Sequence, residues 1–269
     1  MNKKIISTIL VTAMTVLSLA GCGNASTANN ASDNTANTTE AGANTAAQET
    51  LIVGTNAAFP PFEYIGDDGN PDGFDVALIK AIGDKIGMNV QIQDMEFDSL
   101  VSSIGNKIDV AIAGMTVTEE RQKTVDFSEP YYEAIQSVIV PKGSAIATAE
   151  DLKNLKIGVQ LGTTGEFIAE EIEGVQISAY NKTVDAVNDL NNGRVDCVIV
   201  DKNPAEVFGT QFADQVDVLP GAQFDFEPEN YAIALPKGNT ELADKINSAL
   251  EQLKADGIYD ALVKQYIEE

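Results

Sequence analysis

Two eight-residue stretches, Asn106–Ala113 (NKIDVAIA) and Gly193–Val200 (GRVDCVIV), repeat one pattern. Each is a polar turn, a basic residue, a β-branched residue and an Asp that opens a short apolar run. Such a run after a helical pattern predicts a buried parallel strand. In open α/β sheets ligands bind beyond the carboxyl ends of these strands. The first run ends in Gly114-Met115-Thr116 and the second in Asp201-Lys202-Asn203. The repeat predicts two similar sheets in two lobes that offer polar groups to one ligand; a single coincidental βαβ echo is the other reading.

The rest of the chain alternates in the same way. Leu51–Val53 is a predicted strand, followed by a loop shaped by Pro60 and Pro61, which exclude regular structure there. Gly66–Gly73 is dense in turn residues. Val76, Ile79, Ile82 and Ile86 recur at helical spacing, with Gly87 as the stop. A strand over Val90–Met95, a helix over Ser99–Gly105 and a strand over Asp109–Gly114 complete a βαβαβ succession, hence a parallel sheet with right-handed crossovers. The scheme repeats with strands at Lys156–Leu161, Val175–Tyr180 and up to Asp201, and helices at Thr164–Ile172 and Val184–Asn191. A final helix shows Leu242, Ile246, Ala249, Leu250 and Leu253 on one face before Asp256-Gly257. Tyr132–Gln136 and Glu229–Ala232, the latter ahead of a strand at Ile233–Leu235, are read as crossings between lobes. A double crossing makes a hinge of few residues. The expected organisation is lobe 1 over 49–132 plus 233–269 and lobe 2 over 137–228, with the hinge at about 132–136 and 229–232.

Charge and composition remove several functions. The 269 residues hold 41 acidic and 17 basic side chains, a net charge of −24 that would repel nucleic acid. The absence of His excludes His-based triads and His metal ligands. No metal site or cofactor is expected. Asn2-Lys3-Lys4 and the apolar stretch Ile5–Ala20, short for a membrane span, read as a secretory signal peptide over 1–21. Gly23–Gln48, rich in Asn, Ala, Thr and Ser, reads as a disordered tether that would span about 30 Å root-mean-square. Cys197, inside a predicted strand, reads as packing.

Several segments together resemble the polar-amino-acid-binding family, the substrate-binding proteins of ABC importers. They are Gly54–Tyr64 (GTNAAFPPFEY), Gly73–Val76 (GFDV), Gly114–Arg121 (GMTVTEER), Asp126–Tyr132 (DFSEPYY) and Asp256–Tyr259 (DGIY). The resemblance covers Glu49 to Glu269. It implies a two-lobe periplasmic-binding-protein-like fold of type II, each lobe a mostly parallel sheet flanked by helices, joined by a two-strand hinge. Leu19-Ala20-Gly21-Cys22 resembles a bacterial lipobox, which implies lipidation of Cys22 and a membrane anchor, with 22–48 as lipidated residue and tether. The expected protein is an extracytoplasmic, monomeric lipoprotein on the outer face of the cell membrane that hands an L-amino acid to ABC permease subunits.

By the same resemblance Arg121 is the carboxylate-binding arginine, a role its planar fork suits and Lys cannot fill. On its residues alone, Arg121 in the first helical turn after Thr118 fits a surface ion pair as readily. Gly114 and Thr116 match groups that hold the ligand's α-carboxyl and α-amino groups, though Gly114 also fits a plain strand-end turn. Asp201 matches the acceptor of the α-ammonium, with a capping role before Pro204 as the other reading. Thr164, in Gly162-Thr163-Thr164 at a helix start, matches a contact to the ligand backbone, with ordinary capping as its alternative. Phe59 and Phe97 match the aromatic pair that sandwiches the ligand's side chain. Asn56 and Gln160 match side-chain-contacting positions; both are neutral amides and tilt the expected ligand towards neutral polar over basic, with Glu63 or Glu96 able to supply charge instead. Those two carboxylates are also the only candidates for acid–base work in a rival, dehydratase-like enzyme on the same fold. A ligand sensor acting through a partner is a second rival. The reading is of a binding protein and not an enzyme.

Overall fold

The computed structural model describes residues 48–268. The leader, Cys22 and nearly all of the tether lie outside the described residues.

The chain opens with β1 (Thr50–Thr55), then a small hairpin and its edge, β2 (Ala58–Phe59), β3 (Glu63–Ile65) and β4 (Pro71–Asp72). These last three form a sheet of their own. This corrects the expectation of an irregular loop: Pro60 and Pro61 occupy the turn between β2 and β3, where neither strand needs their missing N–H groups. Helix α1 (Phe74–Ile86) buries Phe74, Val76, Leu78, Ile79 and Ile82 and ends on Gly87 in the left-handed conformation. Strand β5 (Asn89–Asp94), helix α2 (Phe97–Ser103), the short β6 (Val110–Ala111), helix α3 (Glu119–Gln122) and β7 (Val125–Phe127) follow.

The long β8 (Tyr132–Pro141) begins the second half. After it come β9 (Lys156–Gln160), α4 (Thr164–Glu170), β10 (Gln176–Tyr180), α5 (Thr183–Asn191), β11 (Cys197–Asp201), α6 (Lys202–Gln211) and β12 (Val216–Pro220). Strand β13 (Pro228–Tyr231) returns alongside β8, pairing Tyr231 with Tyr132 and Pro228 with Ile135. The chain closes with β14 (Ala234–Pro236), α7 (Thr240–Ala255) and α8 (Ile258–Tyr266).

Two sheets carry the molecule. One has the order β5-β1-β6-β14-β7, the other β10-β9-β11-β8-β12. Each has three adjacent parallel strands, then one reversed strand, β14 or β8, and beyond it an edge strand, β7 or β12, that runs parallel to the first three. The repeated aspartates have the same structural job in both. Asp109 accepts the Ile52 N–H at 2.8 Å, and Asp196 accepts the Lys156 N–H at 2.8 Å. In each lobe the carboxylate pins the start of the neighbouring parallel strand, which satisfies a backbone donor that the ladder leaves over. This is the mixed, helix-flanked two-lobe architecture of type II periplasmic binding proteins.

The paired strands β8 and β13 carry Tyr132 and Tyr231 of an aromatic cluster. Phe62, fully buried, meets the Tyr132 ring at 5.0 Å and the Tyr231 ring at 5.2 Å, both edge-on. Cys197 packs among Val138, Val159 and Ile199 in the second sheet's core.

Candidate functional site

The carboxyl ends of β1 and β6 and of β9 and β11 point at a common, nearly closed cavity of about 10 Å³, room for little more than one water molecule. Asn56, Phe59, Phe97, Gly114, Thr116 and Arg121 from one lobe line it, with Gln160, Thr164 and Asp201 from the other. All nine residues singled out in the sequence therefore meet in one place. Glu63, Ala113 and Thr163 complete the lining. Glu96, the other carboxylate considered for acid–base work, is not part of it.

Arg121 is 8% exposed, which excludes the surface ion pair. Thr118 does cap its helix, accepting the Arg121 N–H at 3.2 Å, but the guanidinium turns inward. Nη1 donates to the Thr116 carbonyl at 2.6 Å and Nη2 reaches across to the Gly162 carbonyl at 3.0 Å. The Phe97 ring lies 5.3 Å from Cζ, a cation–π distance. Burial pulls the Arg121 pKa down to about 10, against the raising pull of Glu229 and Asp201. It remains a cation at neutral pH, with donors to spare.

Asp201 stands at the N-cap position of α6, yet its side chain makes no capping bond there. One oxygen, Oδ1, is buried without a hydrogen-bond partner. Burial first, and the neighbouring Glu229 charge second, push its pKa up to about 7, with Tyr231 and Gln136 pulling the other way. A buried carboxylate with no cation beside it at a strand end suits an incoming ammonium. Thr164 is likewise not a cap: Thr163 accepts the Glu166 N–H, while the Thr164 hydroxyl donates to Glu229 at 2.8 Å.

Gly114 has φ +52°, and its Cα lies against Phe59, where a Cβ would come within 2.9 Å of the ring. Its N–H donates to Asp75 at 2.8 Å, and the Tyr131 hydroxyl donates to the same oxygen at 2.7 Å. That interior carboxyl is raised to about 6 by burial, partly offset by these two donors. A turn and a close approach thus fix Gly114 at the end of β6, with its backbone tied into the core beneath the cavity.

Asn56 and Gln160 are engaged with each other. Gln160 donates to Asn56 Oδ1 at 2.8 Å and to the Asn181 carbonyl at 3.0 Å, and accepts from Thr183 at 3.1 Å. Asn56 donates to the Met95 carbonyl at 2.8 Å. One of these four bonds, Gln160 to Asn56, joins one lobe to the other, and the rest tie each amide to its own lobe. Glu63 is fully buried and lines the cavity. Burial, then the charge of Asp75 and a carboxyl–carboxylate hydrogen bond with it, hold the Glu63 pKa well above the ordinary carboxylate value. Glu229 was not singled out in the sequence; its signal was only a Glu within a polar run ahead of the returning strand.

Residues 51–269 match the family described as bacterial extracellular solute-binding proteins, family 3. The arginine-binding extracellular protein ArtP of Bacillus subtilis (strain 168) is 38% identical over 221 residues, covering 80% of this chain and 85% of that protein. Among solved structures, an ancestral arginine-binding protein bound to arginine is 42% identical with a TM-score of 0.77, covering 82% of this chain and 99% of that one. An ancestral arginine-binding protein bound to glutamine is 43% identical with a TM-score of 0.78, over the same shares. With both lobes covered and the opposed charges in place, the chain belongs to family 3 of the bacterial extracellular solute-binding proteins.

Proposed function

We propose that this protein captures a basic L-amino acid outside the cytoplasm and delivers it to an ABC importer by closing its two lobes. The observation that carries the reading is the charge pattern of the cavity. Arg121 offers a fork for a carboxylate, Asp201 an acceptor for an α-ammonium, and Glu63 a second carboxyl group that a cationic side chain would draw into its ionised form. The neutral ligand suggested by Asn56 and Gln160 gives way because those amides are engaged with each other and with Met95, Asn181 and Thr183. The arginine-binding relatives support the same choice.

Arg121 and Asp201 belong to different lobes, so one ligand engages both only when the lobes meet. A ligand shifts such an equilibrium by its differential affinity for the closed state. The hinge of the proposal is the β8–β13 pair at about 132–136 and 229–232. Binding without turnover is the activity, and the lipid anchor at Cys22 would keep the protein at the membrane surface.

A thermal-shift series on refolded protein tests the reading. Arginine, lysine or histidine at a hundred times its dissociation constant should stabilise by about 2.7 kcal/mol, or about 5–11 °C for a domain of this size. Glu63→Gln should lower the preference for arginine over glutamine. A Glu63→Gln protein with the wild-type arginine-to-glutamine ratio would refute the assignment of Glu63, and silence across the amino acids would refute the function.

A further inference from the structure

Glu229 sits on β13, between the cavity and an open groove on the outer face that it lines with Asn230, Pro228 and Lys237. Its Oε2 accepts two hydroxyl protons at once, from Thr116 in the first lobe at 2.5 Å and from Thr164 in the second at 2.8 Å. Each threonine hydroxyl has one proton to give. With that proton committed to Glu229, each oxygen can only accept from anything inside the cavity. Thr164 already accepts from the Gln136 amide at 3.2 Å, whereas Thr116 keeps its lone pairs free. Nearby, the Asp201 carboxylate is a second acceptor on the same cavity wall, faced from behind by Tyr231 and Gln136.

We propose that Glu229 is a positioning residue that holds the Thr116 and Thr164 protons away from the cavity, so that the subsite beside Asp201 presents acceptors only. This rests on the amino-acid-binding reading and deepens it. An α-ammonium, with three donors, satisfies such a subsite. A 2-oxo acid brings an acceptor to meet acceptors and is rejected. Glu229 thereby selects amino acids over their oxo analogues without touching either. Glu229 faces the groove on one side, while its inner oxygen accepts from both threonine hydroxyls.

The test compares arginine with its 2-oxo analogue by titration calorimetry on the mature protein. Glu229→Leu frees the Thr116 proton to turn inward, so the ratio of the two dissociation constants should fall at least tenfold. Glu229→Gln retains a carbonyl acceptor and should keep the ratio within threefold of wild type. Thr116→Val removes the hydroxyl at nearly constant shape, and Glu229→Leu should then have little further effect on the ratio. An unchanged ratio in Glu229→Leu overturns the proposal. So does an equal effect of Glu229→Leu with and without the Thr116 hydroxyl, which would mark a plain charge effect. A wild-type protein that binds no basic amino acid overturns the function itself, which separates the two failures.

Discussion

Replacing Arg121 by Met should abolish ligand binding and leave the empty protein nearly as stable as before. The side chain keeps similar length and apolar contact with Phe97, so the loss is confined to the charge and its donors. A bidentate carboxylate contact comprises two charge-assisted hydrogen bonds, each about 1.5–3 kcal/mol. Their sum is about 3–6 kcal/mol, which weakens binding about 10²–10⁴-fold. Two opposing effects act on the empty protein. The bonds to the Thr116 and Gly162 carbonyls vanish, but so does the cost of a buried cation, the same cost that pulls the Arg121 pKa down to about 10. Their near cancellation predicts a stability change within about 1 kcal/mol, or about 2–4 °C in melting temperature. Calorimetric titration with arginine, paired with melting of the refolded, ligand-free protein, reads both quantities. A dissociation constant within threefold of wild type would refute the ligand role. A melting temperature lowered by more than about 10 °C would show that Arg121 serves the fold first, contrary to the cancellation argued here.

Two further expectations concern protons and packing. Asp201 must be ionised to take an ammonium, and its pKa is raised to about 7, so affinity should fall as pH drops below 7, approaching tenfold per unit. The same raised pKa means that the folded, empty protein binds more protons than the unfolded chain between about pH 4 and 7. Its contribution to stability therefore runs the other way, rising as pH falls through that window; affinity independent of pH from 5 to 8 would contradict the assignment. Gly221 lies so close to β8 that a Cβ would come within 1.9 Å of the Gln136 carbonyl oxygen. Gly221→Ala should cost about 1–3 kcal/mol by overpacking, measured by urea unfolding, and an unchanged midpoint would show that the strand moves aside freely.

The local skeleton of the fold is legible where apolar spacing is strong. The positions Val76, Ile79 and Ile82 turn up buried on α1, and the apolar run from Cys197 to Val200 is a fully buried strand. Elements set by partners far along the chain are harder to read. The strand expected at Ile233–Leu235 forms as β14 (Ala234–Pro236), whereas its neighbour β7 (Val125–Phe127) shows no pattern of its own and is defined by pairing with β14. The short β6 shows the same limit: the apolar run Asp109–Gly114 implied a longer strand than the ladder that forms. At the site, motif residues such as Arg121 and Asp201 can be read because their chemistry is distinctive. Whether Asn56 and Gln160 face a ligand or each other depends on how the lobes meet, which no local spacing encodes. Glu229 is invisible for the same reason, since its partner Thr116 lies 113 positions away.

The interleaving of the two sheets has a consequence for the order in which the protein can take shape. Every strand of the second sheet lies between Tyr132 and Tyr231, so that half can close as soon as this segment is available. In the first sheet, β7 has its neighbour only in β14, and β14 also borders β6. A chain made or exported from its N-terminus therefore completes the later half first, while the earlier half waits for Ala234–Pro236 and the helices that follow. The half synthesised first is the last to become whole.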